Sequence, residues 1–197
     1  MKKSFILLVL FILVSFSIFA ERIVGTDKLE YNQKTQLYHY GNEKEPFTGI
    51  EKAYYEDKSL KYELPYKNGK FDGKAIEYYP SGKIESESFY VNGKLNGKSI
   101  EYYKNGNLKS DGNYKDGKRD GLTKTYFEDG TIRSEIYYKN GELDGLAKEY
   151  YGNGQVYIQE NYKNGELDGE SLNFYKNGKL KGREVYKDGK LIESSVK

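Results

Sequence analysis

Apolar and polar residues alternate along this chain in short runs, and the pattern restarts every 24 residues. Lys74-Ala75-Ile76-Glu77-Tyr78-Tyr79 is followed by the turn residues Pro80-Ser81-Gly82, then by Ile84-Glu85-Ser86-Glu87-Ser88-Phe89-Tyr90, then by Asn92-Gly93. Runs of this length bounded by Gly, Asn and Pro predict short antiparallel strands joined by tight turns. Tyr and β-branched residues favour pleated structure. After Ala20 no stretch carries a helical period long enough to compete.

The repeat aligns without gaps. One glycine falls at Gly49, Gly73, Gly97, Gly121, Gly145 and Gly169, and one tyrosine at Tyr66, Tyr90, Tyr114, Tyr138, Tyr162 and Tyr186. An aromatic pair falls at Tyr54-Tyr55, Tyr78-Tyr79, Tyr102-Tyr103, Tyr126-Phe127, Tyr150-Tyr151 and Phe174-Tyr175. A fixed period over most of a chain indicates a repeat array, in which each unit buries its apolar side against its neighbours.

Pro80 holds φ near −65°, which excludes a primed two-residue turn starting there. A type I turn over Pro80-Ser81 with Gly82 in the left-handed region fits instead. That loop sets Tyr78 across from Ile84 and Ile76 across from Ser86. One face should then carry the Tyr78, Ile84, Ser86 and Tyr90 positions as an aromatic–aliphatic ridge. The other should be wet, with Glu85, Lys109, Arg133, Tyr157 and Lys181. The second aromatics, Tyr79, Tyr103, Phe127, Tyr151 and Tyr175, should join the wet face and are the candidate partner contacts. Equivalent residues two strands apart lie roughly 9.5 Å apart along the sheet. The fold predicted is an elongated, single-layer antiparallel meander of hairpins, with open edges that invite edge-to-edge self-association.

Three segments are expected: 1–20, 21–48 and 49–197. Lys2-Lys3 followed by the apolar run Phe5 to Phe19 and Ala20 reads as a secretory signal peptide. An uncleaved anchor is the alternative, although the run is shorter than the ~20 residues that span a bilayer. The expectation is an exported protein, periplasmic, at the cell surface or secreted, and not a lipoprotein, because no cysteine follows. Residues 21–48 are a degenerate lead-in with strand-like Leu29-Glu30-Tyr31 and Gln36-Leu37-Tyr38-His39-Tyr40. Such a segment is either an N-terminal cap or a decayed repeat.

Composition narrows the function. The chain has 22 Tyr and 22 Gly but no Trp and no Cys. Without Lys2 and Lys3 the 32 basic residues become 30, equal to the 30 acidic ones. An even charge argues against nucleic acid, which needs a clustered basic footprint. There is no disulfide framework and no thiol nucleophile. The single histidine, His39, has no second histidine or nucleophile-elbow serine to work with, so no catalytic residue and no cofactor are expected. Asp72, Asp120, Asp144 and Asp168 recur before glycine, but one carboxylate per unit would leave Ca²⁺ under-coordinated. They read as turn formers rather than metal ligands. Tyrosine-rich repeats also suggest sugar binding, yet such modules rely on Trp.

Tyr138-Lys139-Asn140-Gly141-Glu142-Leu143-Asp144-Gly145, followed by Lys148-Glu149-Tyr150-Tyr151-Gly152-Asn153-Gly154, resembles the MORN repeat in its bacterial variant form. The resemblance covers about residues 46–190. It implies a long curved sheet of hairpins with a binding or scaffolding role. Eukaryotic relatives are linked to membranes, lipids and protein assembly, and bacterial variants are commonly labelled antitoxin-like or immunity-like. The function expected is an exported, non-catalytic scaffold for another protein. An envelope lipid- or glycan-binding module and an antitoxin-like protein that holds a toxin remain open as alternatives.

Overall fold

Alternation at period two, interrupted by glycine-bearing turns, folds here into strands, with a single 3-10 turn at Thr26–Lys28 among the described residues. The computed structural model describes residues 22–196; the expected signal segment, residues 1–20, lies outside the described residues. The strands are β1 (Ile23–Gly25), β2 (Leu29–Asn32), β3 (Leu37–Tyr40), β4 (Gly49–Tyr54), β5 (Leu60–Lys67), β6 (Lys70–Phe71), β7 (Gly73–Tyr78), β8 (Ile84–Val91) and β9 (Lys94–Tyr102). They continue as β10 (Leu108–Lys115), β11 (Lys118–Arg119), β12 (Gly121–Tyr126), β13 (Ile132–Lys139), β14 (Glu142–Tyr150), β15 (Val156–Lys163), β16 (Glu166–Phe174), β17 (Leu180–Lys187) and β18 (Lys190–Val196). From β4 to β18 they form an antiparallel meander in sequence order, with the short β6 and β11 paired to β5 and β10.

Two turn types alternate. Gly82 N–H donates to the Tyr79 carbonyl at 2.8 Å, and Tyr79 N–H to the Lys83 carbonyl at 2.8 Å. Gly82 has φ +78°, the left-handed value that closes a type I turn with a glycine bulge. At the other end Asn92 and Gly93 have φ +49° and +81° between the paired residues Val91 and Lys94. Two positive φ values make a type I′ hairpin turn, whose twist matches that of its strands.

The register corrects one expectation. Tyr78 does lie across from Ile84, but Ser86 pairs with Glu77, and Ile76 pairs with Glu87. A second bulge at Glu85 adds one residue, and the same shift recurs between Thr125 and Tyr126, Glu149 and Tyr150, and Asn173 and Phe174. One extra residue flips everything beyond it to the other face. The single aromatic ridge is therefore divided. Tyr78 and Ile84 share a face with Ile76 and Glu87, while Ser86, Ser88 and Tyr90 lie on the opposite face with Ala75 and Glu77. Side-chain bonds follow this division. Tyr78 reaches Glu63 at 3.1 Å and Tyr150 reaches Glu135 at 2.8 Å on one face. On the other, Ser88 meets Ser99 at 2.8 Å and Tyr162 reaches Glu160 at 2.7 Å.

The first end of the array is built differently. β1 runs parallel to β4, an arrangement with no signature in three residues of sequence. β2 and β3 form a separate hairpin. It is tied to the array where Tyr38 N–H donates to the Gly69 carbonyl at 2.9 Å. Phe47, 1% exposed, packs with Val24 and Tyr66 among Leu29, Tyr38, Tyr40, Leu64 and Phe71. This is the one buried apolar cluster among the described residues.

Candidate functional site

The face carrying Ala75, Ser86 and Tyr90 is furrowed. Its floor is made of small side chains: Ala75, Thr123, Ala147 and Ser171 are buried, and so is Ser134. Hydroxyl pairs tie floor residues across strands, as between Thr125 and Ser134 at 2.6 Å. Small side chains leave room between two tyrosine rows. One row is Tyr66, Tyr90, Tyr114, Tyr138, Tyr162 and Tyr186. The other is the row of second aromatics.

Those second aromatics lie with the bulge residues, as expected, but on the same face as Ser86 and Tyr90 and not opposite it, because the extra bulge residue brings the Ser86–Tyr90 run round to their side. Tyr151 stacks edge-on against Tyr157 with ring centroids 5.1 Å apart, and the Arg133 guanidinium sits 5.9 Å from the Phe127 ring centre. They are also half-buried, apart from Tyr175 at 47% exposure. The cause is a bond the sequence does not announce. Tyr79 donates to the Tyr102 carbonyl at 2.6 Å, Tyr103 to the Tyr126 carbonyl at 2.8 Å, and Tyr151 to the Phe174 carbonyl at 2.9 Å. Tyr55 does the same to the Tyr78 carbonyl at 2.7 Å. Each hydroxyl fastens one unit to the backbone of the next. Desolvation accordingly raises the Tyr79 phenol above its ordinary value. Of the five candidate contacts, Tyr79, Tyr103 and Tyr151 hold the array together with their hydroxyls and offer only ring faces and edges. Phe127 has no hydroxyl, and among the described residues the Tyr175 hydroxyl makes no such bond.

Two stretches of the furrow open into grooves. One, of about 270 Å³, runs between Tyr79, Glu85, Ser86 and Ser99. The other, of about 390 Å³, is lined by Tyr103, Lys109, Ser110, Arg119, Thr125 and Arg133, with Glu101 and Glu149 at its flanks. They share Glu101 and Lys109, which bond to each other at 2.9 Å, and that carboxylate raises the Lys109 ammonium above its usual range. Arg119 stands where Phe71, Leu95, Leu143 and Leu167 stand in other units. Its Nε and Nη1 donate to the hydroxyls of Tyr114 at 3.2 Å and Tyr138 at 3.3 Å, with the guanidinium 5.2 Å from the Tyr138 ring centre. The expectations passed over Arg119, although aligning the repeats exposes an arginine in a column of apolar residues.

The opposite face is laced with ion pairs: Lys52 with Glu63, Lys74 with Glu87 at 2.7 Å, Lys98 with Asp111 at 3.1 Å, and Lys124 with Glu135 at 2.7 Å. Lys124 and the Tyr150 hydroxyl hold the Glu135 carboxyl below the usual carboxylate range. The recurring turn carboxylates are engaged locally. Asp72 and Asp144 accept the backbone N–H groups of Asn92 and Asn164 at 3.0 and 3.3 Å, and Asp168 meets Lys187 at 2.8 Å. Among the described residues no group of three His, Asp or Glu side chains is placed to hold a metal ion. His39 lies on β3, with Nδ1 donating to the Glu43 carbonyl at 3.2 Å.

No curated protein matches the chain. The profile of the MORN repeat variant matches it six times in tandem, at residues 47–68, 71–92, 95–116, 119–140, 143–164 and 167–193. The matches keep the 24-residue phase and reach well over half the sequence, each covering one hairpin turn and the aromatic residue that precedes it. By that match, and by the hairpin meander it predicts, the chain belongs to the MORN repeat variant family.

Proposed function

We propose that this chain is an exported, non-catalytic scaffold that binds another protein across its furrowed face. MORN repeats are generally modules of interaction with proteins or membranes. The observation that carries the reading is the furrow itself. It is a long, half-exposed groove between two tyrosine rows, with a small polar floor. Its walls are held rigid by hydroxyl-to-backbone bonds, so little conformational freedom is lost when a partner docks. Tyrosine is also the side chain that supplies large contact area at low entropic cost. The ring edges of Tyr79, Tyr103 and Tyr151, with Phe127 and the exposed Tyr175, are the proposed contacts. Affinity capture from envelope extract and culture medium tests this. A partner retained by the native chain and lost on Tyr175→Ser together with Phe127→Ser supports it. Recovery of no partner from either fraction, with the chain folded, overturns it.

A further inference from the structure

In a repeat array each unit is a control for the others. A departure that packing does not require stands out against its equivalents, and several departures at one place point to a common cause. The unit at residues 119–140 carries such a group. Arg119 replaces the Phe or Leu of other units. Thr125 replaces the glutamate of both adjacent units, Glu101 and Glu149, and of Glu77; only the outer units, with Ala53 and Asn173, also lack it. Phe127 replaces the stapling tyrosine. All three lie on the furrowed face, and Arg119, Thr125 and Arg133 line the groove of about 390 Å³.

The first two replacements act in the same electrostatic direction. One adds a positive charge and the other removes a negative one. In the preceding unit the bulge cation Lys109 is neutralised by Glu101 at 2.9 Å. Thr125 cannot do this for Arg133. Neither Arg119 nor Arg133 forms an ion pair among the described residues, and Glu149 lines the groove without bonding to either. Arg119 is held in place by two tyrosine hydroxyls and a tyrosine ring. These bonds use two of its five N–H donors and leave the rest for a ligand.

We infer that this groove is an anion site, in which Arg119 and Arg133 receive a single, isolated carboxylate side chain of a protein partner. The ligand class follows from the surroundings. Two guanidiniums match a carboxylate's oxygens with charge-assisted bonds. Glu149 on one flank, with no ion pair among the described residues, and the already neutralised Glu101–Lys109 pair on the other give a polyanion or a continuous anionic lipid surface no further cations and one repelling charge. The site therefore selects an isolated negative group. This deepens the proposed function and rests on it only for the source of the carboxylate.

The test uses the full chain as purified from its producing cells, with the arginine Nε–H signals followed by NMR. The probes are N-acetylglutamic acid amide, its glutamine counterpart, inorganic phosphate, and phosphatidylglycerol vesicles. The expected result is a saturable shift of Arg119 and Arg133 with the glutamate probe alone or more tightly than with phosphate. No shift is expected with the glutamine probe, and no retention on vesicles. Arg119→Leu and Thr125→Glu each restore the residue of neighbouring units, so both should fold; each should weaken the glutamate probe about tenfold or more. An unshifted Arg119, equal affinity in the folded R119L and T125E chains, tighter phosphate binding, or Arg119-dependent vesicle binding would overturn the inference. Partner capture read alongside separates the two claims. Capture unchanged by R119L sinks the carboxylate site and leaves the scaffold reading. Glutamate binding without any captured partner does the reverse.

Discussion

A tyrosine hydroxyl decides more here than a tyrosine ring does. The hydroxyls of Tyr55, Tyr79, Tyr103 and Tyr151 each satisfy a backbone carbonyl of the next unit. A net intramolecular hydrogen bond contributes about 1 kcal/mol. Tyr103→Phe should therefore lower stability by about that amount, and Phe127→Tyr, aimed at the Tyr150 carbonyl, should raise it comparably. Urea unfolding of the two variants checks both signs, and a null result for both would show that these bonds only replace bonds to water. Glycine is a second residue-scale constraint. Gly145 has φ +116°, and a Cβ there would come within 3.2 Å of the Tyr137 Cβ. Gly154 has φ +82° with nothing within 4 Å of that position. Alanine should destabilise at both, by about 1 kcal/mol from the backbone alone, and more at Gly145, where a neighbouring strand must also move. Unequal unfolding midpoints in that order are the expected readout.

Between strands, the cross-strand pairs couple stability to pH in both directions. Glu63 and Glu135 are held below the usual value of 4.5 by Lys52 and Lys124 respectively. A lowered carboxylate stabilises the fold above its unfolded pKa, and that stability is lost as pH falls through the folded value. Burial first, then the neighbouring glutamates, pushes Tyr62 and Tyr150 from 10.0 up to about 12. A raised phenol contributes stability that is complete below pH 10.0 and is lost as pH climbs through about 12. The unfolding midpoint should be flat between these limits and fall outside them. Tyr150→Phe should shrink the alkaline fall, and the acid fall to a lesser degree because the same hydroxyl helps hold Glu135 after Lys124; an unchanged alkaline limb would show that Tyr150 does not couple to folding. This scale also shows what the sequence reveals. The Pro80-Ser81-Gly82 turn and the Tyr78–Ile84 pairing are legible because proline and glycine carry backbone angles in their identity. The bulge at Glu85 is not, because any residue can occupy it, and one unread residue moves Tyr90 to the other face. The candidate site is legible in part: its aromatic row follows from the repeat. Its staples are hidden because the acceptors are carbonyls 23 residues away, common to every residue type. Arg119 is visible only when the units are compared with one another.

Along the array each strand packs chiefly against its immediate neighbours, so stability is distributed along one dimension rather than held in one core. The two ends are unequal. At the first, Phe47, Val24 and Tyr66 form a buried cluster closed by the β2–β3 hairpin. At the last, β18 is the terminal strand of the sheet, with Leu191 and Ile192 53% and 65% exposed. An edge strand with few buried contacts opens at low free energy, and opening propagates inward only as far as each interface yields. Amide exchange should therefore be fastest in Lys190–Val196 and slow progressively toward β5, with Phe47→Ala as the decisive variant. Truncating a buried phenylalanine costs about 3–5 kcal/mol. In a one-dimensional array that loss should appear in β1 to β5 and fade along the sheet, leaving the protection of β13 to β17 nearly unchanged. In a single cooperative unit it would appear equally everywhere. A uniform loss of protection would mean that the hydroxyl staples and hairpin bonds couple all units into one transition. A graded loss would make the furrow a surface whose far units stay folded, and available to a partner, while its first end is open.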